Sequence, residues 1–117
     1  MNLKQLTELS FKASYERGWW NDETEQNSPF FIACKFALIY SEITEAMEGF
    51  RRDSMDDKLP HRKSVEVELA DALLRIFDLA GRLDLDLEGA LKEKMKFNET
   101  RWDHDLKARR IAGGKKF

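Results

Sequence analysis

Between Pro29 and about Arg52, apolar side chains at Ile32, Phe36, Ile39, Ile43, Ala46 or Met47, and Phe50 fall within about 100° on a helical wheel. That spacing predicts an amphipathic helix. Ser28-Pro29 marks its start, a cap followed by a proline that needs no N–H there. A looser helical pattern, Leu3, Leu6, Leu9, Phe11, Ala13 and Tyr15, predicts an earlier helix closed at Gly18. From Val65 to Leu83 the stripe Val65, Leu69, Ala72, Leu73, Ile76, Ala80 and Leu83 is joined by Val67, Ala70, Leu74 and Phe77. This third helix is apolar over most of its girth, so it should be central and partly covered by another subunit. Only the arc of Glu68, Asp71, Arg75 and Asp78 stays polar. A fourth helix, capped by Asp86, runs through Leu87, Ala90, Leu91, Met95 and Phe97 to about Trp102. The polar stretch from Arg51 to Lys63 reads as a loop, with Ser64 capping the helix after it.

Four helices with short connections predict an all-α, four-helix bundle-type subunit that is oligomeric. With 117 residues, no internal repeat and no low-complexity linker, residues 1–117 should form a single domain, with 103–117 as a basic C-terminal tail. Six glycines and two prolines are too few for the turns of a β sandwich. The single cysteine, Cys34, cannot pair within the chain and is expected to be buried as a small hydrophobe, which suits a reducing compartment. The amino terminus lacks a secretory apolar core, and the longest apolar stretch, Phe30 to Tyr40, is short and broken by Lys35. A cytoplasmic protein without membrane partners is expected.

Charge narrows the chemistry further. The 20 basic and 22 acidic groups nearly cancel, to −2, which disfavours a nucleic-acid partner. Residues 101–117 carry six basic and two acidic side chains, or +4, leaving −6 for the first 100. Such a tail either folds over a polyphosphate or is simply a solvated end.

On the second helix Glu42 and Glu45 lie three residues apart and so share a face; on the third, Glu68 and Asp71 repeat the spacing. An antiparallel hairpin could bring the pairs together. Four convergent carboxylates repel one another unless cations lie among them, and all-oxygen donors suit Mg2+, with Mn2+ as a substitute. The competing reading is a solvated acidic face, and spacing alone leaves the two open. A ferritin-like di-iron site is disfavoured, because neither His61 nor His104 completes a Glu-x-x-His. On the fourth helix Lys94, Asn98 and Arg101 form either a phosphate-binding face or a solvated basic face. Trp19 and Trp20 could stack on a nucleobase, though one of them should close the core.

Together, Glu42-x-x-Glu45, Glu68-x-x-Asp71, the face of Lys94, Asn98 and Arg101, and the terminal Gly113-Gly114-Lys115-Lys116-Phe117 resemble the MazG-like, all-alpha nucleoside triphosphate pyrophosphohydrolases over residues 29–117. The resemblance implies a homodimer or homotetramer that converts a (deoxy)nucleoside triphosphate into the monophosphate and pyrophosphate, a house-cleaning activity on the nucleotide pool. It implies that Glu42, Glu45, Glu68 and Asp71 bind magnesium, with Glu42 or Glu45 activating the water. Lys94, Asn98 and Arg101 match positions that contact the nucleotide; Lys115 and Lys116 are weaker matches, and Trp20 is the candidate base-stacking residue. Many relatives carry a histidine before the terminal glycines where this chain has Ile111-Ala112. The rival readings are a non-catalytic helical interaction protein and a pyrophosphohydrolase of a related metabolite such as phosphoribosyl-ATP.

Overall fold

The computed structural model describes residues 1–20, 28–100, 110, 111, 113 and 114. Among them the chain is all-helical: α1 spans Leu3–Glu16, α2 Pro29–Arg52, α3 Ser64–Arg82 and α4 Leu87–Thr100. It divides into two compact units, Met1–Leu85 and Asp86–Phe117. No helix among the described residues is long and apolar enough to cross a membrane.

Local chemistry sets the helix ends. The Asn2 side chain accepts from Gln5 N while the Gln5 side chain accepts from Asn2 N, a reciprocal cap on α1. Gly18, at φ +83°, closes that helix as its position suggested. Ser28 Oγ accepts from Phe31 N to open α2. At the end of α2, Asp53 takes the left-handed conformation. Ser64 is the first residue of α3 and not its cap; Lys63 holds the cap position without a side-chain bond. The Ser64 amide is instead taken by Ser54 O at 2.9 Å, an interaction that closes the base of the connecting loop. Inside that loop the buried carboxylate of Asp56 accepts from the amides of Lys58 and Leu59.

In the first unit α3 packs on both α1 and α2. Contacts pair Gly49 with Ser64 and Glu42 with Arg75, so residue numbers fall along α3 as they rise along α2, and the helices are antiparallel. α1 is likewise antiparallel to α3, because Ser14 meets Asp78 and Phe11 meets Gly81. Two glycines allow the close approaches: a Cβ on Gly49 would lie 2.8 Å from Ser64 Oγ, and one on Gly81 would lie 2.5 Å from Phe11 Cβ.

The buried core is narrower than the hydrophobic pattern indicated. It comprises Trp20, Ala46, Ala72, Phe77, Leu79 and Ala80. On α2 the line turned inward is Glu42, Ala46 and Gly49, whereas Phe36, Ile43, Met47 and Phe50 of the expected stripe are exposed. Cys34 is exposed too, contrary to its expected burial. The neighbouring Lys35 turns inward instead, placing its Nζ 4.6 Å from the centre of the Trp20 ring. On α3, Leu69, Leu73 and Leu74 remain exposed.

The second unit contributes α4, whose start matches expectation: Asp86 Oδ1 accepts from Gly89 N. None of its residues is buried, and Leu91, Met95 and Phe97 are exposed.

Candidate metal centre

Glu42 lies in the seam between α2 and α3, in line with Ala46 and Gly49, and is only 8% exposed. Small residues there bring the helices close, and the carboxylate one turn before Ala46 is carried into the contact. From α3, Glu68 and Asp71 approach the same point. One carboxylate oxygen from each of Glu42, Glu68 and Asp71 lies within 4.8 Å of the others. Two oxygens bound to one magnesium ion at 2.0–2.1 Å are separated by about 3 Å when adjacent and about 4 Å when opposite. The three-carboxylate set therefore matches a hard divalent cation in donor type, and it could hold one by drawing its oxygens together from the 4.8 Å within which they lie.

The protonation behaviour of the cluster reflects this crowding. Burial tends to raise the pKa of Glu42, but a 2.8 Å bond from Arg75 Nε, together with contacts from Glu68 and Glu45, outweighs it and leaves the pKa lowered. Glu68 is pushed up to about 7 by burial, by hydrogen bonding with Glu42 and Glu45, and by repulsion from Glu45 and Asp71. Burial and the charge of Glu42 raise Asp71, against the opposing pull of Arg75. One carboxylate held ionised beside another that favours its proton is what close acids do when no cation separates them.

Glu45 is exposed and stands outside the three-oxygen group, although it touches Glu68. It lines a cleft of about 240 Å³ with Glu48, Gly49, Arg52, Ser54, Ser64 and Glu68. A second cleft of similar volume is lined by Glu42, Asp71, Leu74, Arg75 and Asp78.

Trp20 is 1% exposed, and its Nε1 donates to Asp78 Oδ1 at 2.7 Å. Lys35 and Arg82 lie over its ring and Phe31 packs against it edge-on. It is thus the tryptophan that closes the core, and the base-stacking role expected of it meets a ring already enclosed; Trp19 is the exposed one. Lys94 and Asn98 stand one turn apart on α4, Lys94 Nζ lying 5.0 Å from the Phe97 ring centre and Asn98 Oδ1 buried without a hydrogen-bond partner among the described residues. Arg101, Lys115, Lys116 and His104 lie outside the described residues, and His61 is exposed in the α2–α3 loop. The residues that the sequence reading passed over are Arg75 and Asp78. Their signal was present, since both belong to the one polar arc of α3.

Comparison with family models, with curated proteins and with solved structures gives no match.

Proposed function

We propose that the chain is a magnesium-dependent nucleoside triphosphate pyrophosphohydrolase of the MazG-like kind, producing a (deoxy)nucleoside monophosphate and pyrophosphate in nucleotide-pool house-cleaning. The observation that carries this reading is the convergence of Glu42, Glu68 and Asp71, from two antiparallel helices, on one point. A solvated acidic face would not place a carboxylate in the helix–helix seam; Arg75 compensates Glu42 there, and what favours a cation is the crowding of Glu68 and Asp71 against it, which raises the pKa of both.

A divalent cation held by these three residues would neutralise substrate phosphate oxygens and the charge developing on departing pyrophosphate. The side chains divide the remaining work. Glu42, kept ionised by Arg75, and Asp71 supply anionic oxygens. Glu68 must give up its proton to join them. Glu45, left outside the trio, accepts the proton of the attacking water as that water's oxygen bonds to the α-phosphorus and the α–β bridging bond breaks. Lys94, Asn98 and Arg101, with Lys115 and Lys116, are assigned to the substrate's phosphates. Mn2+ would replace Mg2+.

The reading includes a homodimer or homotetramer in the cytoplasm. Phe36, Tyr40, Ile43, Met47 and Phe50 recur at alternating spacings of four and three along the outer side of α2, with Tyr40 71% and Phe50 74% exposed. At roughly 200 Å² for each full side chain, the ridge offers about 600 Å² of apolar surface, at the upper end of what monomers leave uncovered.

The hydrolase reading is tested by incubating deoxynucleoside triphosphates with the protein and Mg2+ while measuring monophosphate and pyrophosphate together. Equimolar release is expected. In Glu45→Gln, turnover should drop at least about 100-fold with the helical circular dichroism unchanged. Full activity in that variant would remove Glu45 from the site, and release of orthophosphate alone would exclude attack at the α-phosphorus.

A further inference from the structure

Arg75 lies one turn beyond Asp71 on α3, and its contacts divide its guanidinium. Nε donates to Glu42 Oε1 at 2.8 Å, whereas the two Nη amino groups make no hydrogen bond or ion pair with another described residue. The side chain is 41% exposed and lines the cleft of about 240 Å³ with Glu42, Asp71, Leu74 and Asp78. An arginine devoted to neutralising a carboxylate normally meets it with the paired face of its fork. Here the inner nitrogen holds the acid; among the described residues the outer donors make no further hydrogen bond, and the charge of Arg75 also acts on Asp71 and Asp78.

The cleft's charges define what those donors can receive. With Glu42, Asp71 and Asp78 ionised against Arg75, the lining carries an excess of negative charge that repels a bare anion. A phosphate chain complexed to a divalent cation has no such difficulty: the cation answers the carboxylates, and oxygens turned away from it need donors. We propose that Arg75 is a phosphate-binding residue of this site, its Nη groups taking an oxygen of a metal-complexed pyrophosphate or polyphosphate chain while Nε keeps its hold on Glu42. This inference rests on the hydrolase reading for its metal, and it adds a substrate contact on α3 itself.

The test compares full-length wild type with Arg75→Ala and Arg75→Lys, measuring three quantities. These are Mn2+ affinity alone, affinity for pyrophosphate in saturating Mg2+, and KM against kcat for a deoxynucleoside triphosphate. In Arg75→Ala, Mn2+ should bind as tightly as in wild type or more tightly, because a positive charge has gone. Pyrophosphate affinity should fall about tenfold or more, with KM rising correspondingly. Arg75→Lys should recover part of the loss, and it serves as the probe if the alanine variant loses its helical circular dichroism. An arginine that merely positions Glu42 would weaken Mn2+ and pyrophosphate together, and that result overturns the proposal. Wild type that hydrolyses substrate while the variants match its pyrophosphate affinity overturns this inference alone. Wild type that binds neither Mn2+ nor pyrophosphate overturns both readings.

Discussion

Glu68 is where the cluster's cost is concentrated. Its carboxyl titrates near 7 in the folded chain against an ordinary 4.5, so between those values the folded state holds a proton that the unfolded state releases. The group's contribution to stability is therefore most favourable below the lower value and is lost as pH rises through the upper one. Asp71 acts in the same sense. Glu42, lowered by Arg75, acts in the opposite sense, its contribution being lost only as pH falls below the carboxylate range. Thermal melts of the metal-free protein should show the melting temperature falling between about pH 5 and about pH 8. Glu68→Gln, which carries no charge to repel, should melt about 2–5 °C above wild type at the upper pH. Mg2+ should raise the wild-type value there and leave the variant nearly unmoved. A wild-type melting temperature that climbs over this interval would contradict the assignment.

At the scale of elements, helix boundaries were legible because short-range chemistry writes them: Ser28-Pro29, Asp86 and Gly18 act where they stand. The spacing of Glu42 with Glu45 and of Glu68 with Asp71 was legible too, and an antiparallel α2–α3 hairpin suffices to bring three of the four together. The inward face of α2 was not. Its inner line of Lys35, Ile39, Glu42, Ala46 and Gly49 and its outer ridge of Phe36, Tyr40, Ile43, Met47 and Phe50 are offset by a single residue, about 100° around the helix. Apolar periodicity favours the ridge, whereas close packing on α3 favours the line containing alanine and glycine. Cys34 is exposed and Lys35 turned toward Trp20 for this reason, and the bond from Arg75 Nε to Glu42 is a contact that spacing cannot reveal. If the outer ridge joins subunits, sedimentation velocity should show an oligomer that Phe50→Glu disperses with its helix content retained. A wild-type monomer at tens of micromolar would leave the ridge without that role.

Across the whole molecule, burial, charge and helix packing meet at one place. Ala46 and Gly49, small or without a side chain, line the inward side of α2, and the close approach to α3 at Gly49 carries Glu42 into the seam between the helices. The measurement that probes this most directly is an anomalous difference map from crystals soaked in Mn2+. The account expects a peak within bonding distance of oxygens from Glu42, Glu68 and Asp71, absent from an otherwise isomorphous Glu68→Gln crystal. A map without density between those carboxylates, in crystals soaked to millimolar Mn2+, would contradict it.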